Sequence, residues 1–344
     1  MNHFYRLLFL AGILFSSTFF SQNRTEDFNI SLPEKKAEKS LYKTLTIIDA
    51  RVDSTNLGIV QKGAFNAKAR VVPTIPLKNQ FQALLNTING NDAGNGELVL
   101  YLKQLSFAEI TGSFSEKGYC YFQAFLFNKT DDGRYQPLNK IDSVITHSSM
   151  DVTKATMRKG SEMISDFIVK NIDKQNSSQE FYSFNDLINY DKIEKSKIPL
   201  YNAEKLNDGL YTDFESFKDQ KPSTILVTNV KTGPDKEKII RIYNQVDTKE
   251  KEIKKQDYYA LIYQSQPYIY SELENSFLKL TKREDGDLYF IGRAKSNPKM
   301  GNVVLATAFF GIIGGLVASS ATANFESKLD YLNGGFIPVK EIKK

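Results

Sequence analysis

Histidine and cysteine are the scarcest chemistry-bearing residues in this chain. Among its 344 residues stand only His3, His147 and Cys120. A nucleophilic triad needs an imidazole to take the nucleophile's proton, and a zinc site needs several Cys or His ligands together. His3 lies in an N-terminal targeting segment, so any such mechanism would rest on His147, at a Ser/Thr-rich strand end. No G-x-S-x-G surrounds a serine, and there is no P-loop and no dinucleotide fingerprint. Cys120 sits inside an apolar strand and reads as a small buried hydrophobe. The expectation is a protein without catalytic residues, cofactor or bound metal.

Three polar or aromatic groupings are left. Asp49, Arg51 and Asp53 alternate along an extended segment, which puts them on one face. Two carboxylates flanking a guanidinium could hold a polar ligand, or form a local ion-pair cluster. Carboxylates can also do acid–base work, so a carboxylate-dependent hydrolase is an alternative expectation. Asn89, Asn91, Asp92, Asn95 and Glu97 offer oxygens of the kind calcium accepts, but without EF-hand spacing they read as a plain loop. Tyr258, Tyr263, Tyr268 and Tyr270, with Tyr259 beside them, form the densest aromatic group. Such residues either line a binding surface or pack in a sheet.

Met300–Phe325 carries no formal charge in a chain that is 25% charged. Thr307, Gly311, Gly315, Ser319 and Ala323 recur at a spacing of four, one small-residue stripe of a helix that would allow close packing. The length suffices to cross a bilayer, for which about 20 apolar residues are needed. Arg293, Lys295 and Lys299 on its N-terminal side oppose the positive-inside rule if the preceding chain is exported. A packed element, a transmembrane helix over 303–323 and an association stripe are all open readings.

Arg6 followed by the apolar run Leu7–Phe20 and small residues near Ser21 predicts a signal peptide over residues 1–21. No cysteine follows the run, so lipoprotein-type acylation has no acceptor. One cysteine permits no internal disulfide, which suits a bacterial periplasm or cell surface. The net charge of +5 is spread among interspersed Lys and Glu, so nucleic acid is not an expected partner.

The elements that would position these residues read as α+β in two parts. Residues 22–40 are polar and predict a disordered lead-in. Residues 41–172 predict an antiparallel sheet under two helices. Leu45–Ile48, Leu57–Val60, Glu97–Leu105, Tyr119–Phe127 and Tyr135–Ile145 read as strands. The helices are Pro76–Asn89, with Leu77, Phe81, Leu84, Leu85 and Ile88 on one face, and one starting at an Asp151 cap. A linker over 173–180 leads to a second, β-rich domain, 181–344. Its strands are Thr224–Val230, Ile239–Asn244, Tyr258–Tyr263, Tyr268–Ser271, Phe277–Thr281 and Leu288–Ile291. A capping box at Thr212 and Glu215 predicts a short helix, Lys249–Lys255 a solvated loop, and Glu284–Asp287 a hairpin turn. The apolar run 300–325 reads as an insertion before strands around Leu329–Leu332 and Phe336–Val339.

The opening LTIIDARVDSTNLGIV, the passage DGLYTDFESFKDQKPS, the hairpin YYALIYQSQPYIY and the glycine-rich run before GGFIPV together resemble exported cell-envelope proteins of Bacteroidota. That resemblance implies no catalytic residues. Asp49, Arg51 and Gly58 also make the first part similar to small α+β envelope-lipoprotein domains. The expected function is therefore a non-enzymatic module that binds an envelope component, protein or glycan. The alternative is the same module anchored in a membrane through 303–323.

Overall fold

A computed structural model describes residues 24–34, 36–55, 57–62, 67–90, 93–111, 116–149, 152–175, 179–234, 236–293 and 324–342. The expected signal peptide and the stripe Thr307, Gly311, Gly315, Ser319 and Ala323 lie outside them. No described helix is long and apolar enough to cross a membrane.

The chain is α+β, and its described residues form three sheets. The first contains β1 (Thr25–Phe28), β2 (Tyr42–Asp49), β3 (Gly58–Lys62), β4 (Ala67–Pro73), β5 (Gly96–Thr111), β6 (Glu116–Lys129) and β7 (Tyr135–Ser149). Its order is β1-β4-β3-β5-β6-β7, and β2 pairs with the first half of β5. The long β5–β6–β7 meander is antiparallel, as expected. The sheet as a whole is mixed, because β2 and β3 both run parallel to β5, and β1 parallel to β4. The expected disordered lead-in is thereby corrected. Within it, β1 is a strand, and Phe28 and Ile30 are buried in the main core. Two apolar side chains in a polar stretch find a groove that only the folded sheet creates.

Helices α1 (Leu77–Ile88) and α2 (Thr153–Val169) cover one face. Pro76 precedes α1, where its missing N–H leaves nothing unpaired. The predicted face of Leu77, Phe81, Leu84, Leu85 and Ile88 is the buried one. In α2, Met157, Ile164, Phe167 and Ile168 meet Phe107, Cys120 and Phe122. The cap position of α2 is Val152, with no side-chain bond, and Asp151 lies outside the described residues. Gly160 rests so close to the Cys120 sulfur that a Cβ there would stand 2.5 Å from it. That close approach seats α2 on β6.

The other face of the first sheet is covered by α3 (Phe184–Ile188) and α4 (Tyr190–Ser196), where Tyr182, Leu187 and Tyr190 pack on Val99, Tyr101, Phe125 and Phe127. After α5 (Pro199–Asn202) come β8 (Gly209–Tyr211) and α6 (Phe214–Lys218). The capping box of α6 is formed by Asp213 and Ser216, not by Thr212 and Glu215. Asp213 is the extended residue whose carboxylate reaches the Ser216 N–H at 2.7 Å.

The second sheet adds β9 (Asn229–Thr232), β10 (Lys238–Val246), β11 (Lys249–Glu252), β12 (Ala260–Tyr263), β13 (Gln266–Ser271) and β14 (Ser276–Lys279). It is antiparallel, in the order β11-β10-β14-β13-β12-β8, with β9 also on β10. Of the strand expected at Thr224–Val230, only the end pairs. The Ser223 N–H bonds to Leu210 at one edge of the sheet and the Thr228 N–H to Tyr243 near the other, so the chain between them cannot run along a neighbour. Lys249–Glu252, expected as a loop, is a hairpin strand with every residue exposed, so no alternation of apolar residues marks it.

The third sheet is β15 (Thr281–Lys282), β16 (Leu288–Gly292), β17 (Asn324–Leu329) and β18 (Phe336–Ile342), in that order and antiparallel. The Glu284–Asp287 turn joins β15 to β16, with Gly286 at φ +77°.

Candidate functional site

The Asp49–Arg51–Asp53 group is brought together only in part. Arg51 donates Nε to Asp49 Oδ1 at 2.8 Å and a terminal nitrogen to Oδ2 at 2.7 Å, a bidentate fork. The same guanidinium reaches the Ser54 carbonyl at 3.1 Å. Asp53 turns to its own loop, accepting from the Thr55 N–H at 2.8 Å and from its hydroxyl at 2.5 Å. The pair Asp49–Arg51 therefore holds the chain as it leaves β2. Among the calcium-type residues, the Asn89 amide donates to the Tyr42 carbonyl, and Glu97 pairs with Lys129. Among the described residues no group of His, Cys, Asp and Glu could hold a metal. Cys120 is fully buried, and burial pushes its thiol far up, which keeps it protonated.

The tyrosines do converge. Alternation along β12 and β13 sends Tyr263, Tyr268 and Tyr270 to one face, where Tyr258 joins them around Leu210, Ile239, Ile242, Leu261 and Phe277. Tyr258 and Tyr270 are buried, and the Tyr270 hydroxyl donates to Asn275 at 3.0 Å. Tyr263 and Tyr268 remain half-buried. Tyr259 falls on the opposite face, fully enclosed, and donates to the Gly334 carbonyl at 2.8 Å.

The densest charged cluster was not visible in the sequence. It lies where the second face of the first sheet meets α4 and the third sheet. The register of β5 with β6 slips between Leu102 and Gln104, leaving Lys103 unopposed, and a bulge of this kind re-aims its side chain. Lys103 Nζ lies 2.5 Å from Asp191 Oδ2 on α4 and 4.6 Å above the Tyr331 ring. The Tyr331 hydroxyl donates to the other Asp191 oxygen at 2.9 Å. Burial pushes the Asp191 carboxyl up, but Lys103, the Tyr331 hydroxyl and Lys328 together hold it below the usual range. Beside this knot, Asp287 accepts from Lys195 and Lys328, each at 2.8 Å.

The Asp330–Gly335 turn between β17 and β18 closes the junction. The Gln123 amide on β6 donates to Asp330 at 3.1 Å and to Asp142 on β7 at 3.2 Å. Asn333 donates to Asp142 and to the Tyr121 hydroxyl, both at 3.0 Å. Three ammonium groups (Lys103, Lys195, Lys328) thus meet four carboxylates (Asp142, Asp191, Asp287, Asp330). Asp142 and Asp330 are held by neutral donors alone, Asp330 by Gln123 and the Leu332 N–H. The Asp330 carboxyl is pushed up, chiefly by burial. The Gln123 carbonyl oxygen beside it is buried without a partner.

A signed pH effect follows. A carboxyl whose folded-state pKa is raised weakens the fold above that pKa and stops doing so once it is protonated. Asp330→Asn is expected to stabilise the protein by about 1 kcal/mol at neutral pH, since the new amide can donate to the orphaned Gln123 oxygen. The gain should shrink as pH falls through the raised folded-state value and vanish about a unit below the ordinary carboxylate pKa of about 4, where the carboxyl is neutral in both folded and unfolded chains and its own O–H can donate. Urea denaturation at pH 7.5 and pH 4 checks this, and an equal effect at both values would refute it.

No protein-family model matches the chain, and no curated protein matches it. Among solved structures, a Xanthomonas campestris protein of the DUF330 family overlays on 42% of this chain and 90% of its own, with a TM-score of 0.27 and 7% identity. A second, described as an uncharacterized protein, covers 43% and 97%, with a TM-score of 0.23 and 9% identity. Overlays at this level establish no common fold.

Proposed function

We propose that this chain is an exported, non-enzymatic binding protein of the cell envelope. It has two modules, divided near residues 173–180, and a protein or glycan partner meets the face bearing Tyr263 and Tyr268. The observation that carries this reading is the contrast between the polar groups and the tyrosines. Asp49, Arg51, Lys103, Asp191, Lys195 and Asp287 are engaged in ion pairs within the fold. Four tyrosines share one face, and two of them keep part of their rings in solvent. Half-exposed aromatic rings with hydroxyl tips suit a wet interface or a sugar ring.

The alternative, a transmembrane helix over 303–323, is disfavoured by strand pairing. Gly292 on β16 stands opposite Phe325 on β17. A single crossing would carry these two residues to opposite sides of the bilayer.

The test is fractionation of native cells carrying a tag at Lys344, followed by an alkaline carbonate wash of the membranes. Release into the wash or the periplasmic fraction is expected, and retention would sink the reading in favour of an integral protein. A photo-reactive residue placed at Tyr268 should then yield a discrete adduct in living cells. Replacing Tyr263 with alanine should remove that adduct while leaving thermal unfolding nearly unchanged. Absence of any adduct would take the tyrosine face out of the proposal.

A further inference from the structure

Residues 24–31 are held in the way that a protein holds a bound peptide. Strand β1 lies at the edge of the first sheet and pairs on one side, parallel to β4. Its main chain is gripped at both ends. The Arg24 carbonyl accepts from the Arg70 N–H at 2.9 Å, and the Phe28 carbonyl from the Thr74 N–H at 3.2 Å. Past the strand, two buried side chains take over from the sheet. Gln80 on α1 donates Nε2 to the Phe28 carbonyl at 3.3 Å and accepts the Ile30 N–H through Oε1 at 2.7 Å. Nε2 also donates to the Ile75 carbonyl at 2.9 Å, which fixes the amide in that orientation. Ser161 on α2, fully buried, accepts the Ser31 N–H at 2.5 Å. All of these bonds go to the main chain of the arm, so they do not depend on its side chains.

Selectivity comes from alternate positions. Phe28 and Ile30 point inward and are buried, the Phe28 ring 4.8 Å from Phe107. Arg24, Thr25, Asp27, Asn29 and Ser31 are exposed, and Asn29 meets the Thr74 hydroxyl. Glu26 pairs with Lys62 of β3 at 2.7 Å. Main-chain bonds for affinity, with pockets for alternate side chains, are how a sheet edge recognises an extended peptide. The stretch that follows ties the arm loosely. None of the described residues from 32 to 39 is buried, and Leu32 is 52% exposed. Among the described residues the next main-chain bond runs from the Ala37 N–H to the Ile88 carbonyl.

We propose that the groove between β4, α1 and α2 is a peptide-binding site that residues 24–31 fill from within the chain. It accepts in their place an extended segment of a partner protein with the same pattern, an acidic residue two before a phenylalanine and an isoleucine two after it. The arm itself shows what the groove selects: two apolar side chains one residue apart, and an acid for Lys62. Leaving the groove empty would strand the buried Gln80 amide and Ser161 hydroxyl without partners, which is costly. The arm therefore departs as the other segment enters, and acts as a built-in competitor. This site is separate from the tyrosine face, which belongs to the second sheet.

The test is fluorescence anisotropy of a labelled peptide of residues 24–32, RTEDFNISL, on the purified full chain. Binding to the wild type is expected to be weak, because the arm competes. Phe28→Ala with Ile30→Ala in the chain loosens the arm and leaves the groove intact, and should tighten peptide binding by about tenfold or more. A peptide with the same two alanines should not bind. Equal affinity for the two chains overturns the proposal, as does no binding to a double variant that still melts cooperatively. Should the double variant fail to fold, a disulfide decides. Thr25 and Arg70 are paired and both exposed, so Thr25→Cys with Arg70→Cys pins the arm when oxidised. A peptide with a photo-reactive group at its phenylalanine should cross-link to the reduced protein and not to the oxidised one. Equal cross-linking in both states, or none in either, overturns the proposal.

Discussion

Lys103→Met is expected to destabilise the protein by about 3–5 kcal/mol, the usual result of leaving one member of a buried ion pair behind. The Lys103 side chain is 5% exposed and that of Asp191 22%. With the ammonium gone, Asp191 keeps the Tyr331 hydroxyl but loses its nearest cation, and Asp330 loses a charge that eases its ionisation. The Tyr331 ring loses the cation above it. The urea midpoint should fall sharply at neutral pH. In the wild type, the stability supplied by the depressed Asp191 carboxyl is present above the ordinary carboxylate pKa and is lost as pH falls through its lowered folded-state value. The variant should therefore lose part of the acid dependence below about pH 4. Adding Asp191→Leu should recover part of the loss, since an apolar pair of similar volume is often tolerated where a lone charge is not. A single variant within about 0.5 kcal/mol of wild type would mean that water already screens the pair.

Gly58→Ala is expected to be comparably severe, about 3 kcal/mol or more, or to prevent soluble folding. Gly58 has φ +104° and opens β3 at the point where it joins β5. A Cβ there would stand 2.1 Å from the Phe107 carbonyl oxygen, a backbone atom of a central strand that cannot swing aside. Phe107 is fully buried, its ring 4.8 Å from Phe28, so any shift of β5 is felt in the core. Gly133→Ala is the control. Its φ is also positive, at +81°, but nothing lies within 4 Å of the added carbon. Only the conformational penalty applies there, about 1 kcal/mol. Comparing the two midpoints separates backbone strain from steric collision. Equal effects at both positions would refute the account given for Gly58.

Local regularities were legible in the sequence because they depend on residues close together in the chain. The five-residue apolar face of α1, the β5–β6–β7 meander, the Glu284–Asp287 turn and the glycine turn before β18 all follow from periods of 3.6 or 2, or from turn chemistry. The shared face of Tyr263, Tyr268 and Tyr270 follows from alternation alone. Lys103 was not singled out by the sequence, where the only local signal was a lysine inside the apolar run LVLYLKQL, which names no partner. Other features had no local signature. Strand β1 exists because β4 offers it an edge more than forty residues away. The exposed strand β11 carries no apolar alternation, since it is held by a backbone ladder to β10 and by polar side-chain contacts, Asn229 with Glu250 and Arg241 with Glu252.

The charged junction belongs to tertiary structure entirely. Lys103 meets Asp191 across 88 residues, Lys195 meets Asp287 across 92, and Gln123 meets Asp330 across 207. In the sequence these are ordinary polar residues among many, since 25% of the chain is charged. What singles them out is burial, and burial is conferred by the seating of α4 and the β17–β18 turn on the second face of the first sheet. The sequence by itself determined the elements and their apolar faces, because propensity and periodicity act over a few residues. Which charges would be enclosed, and with which partners, was decided only when those faces came together.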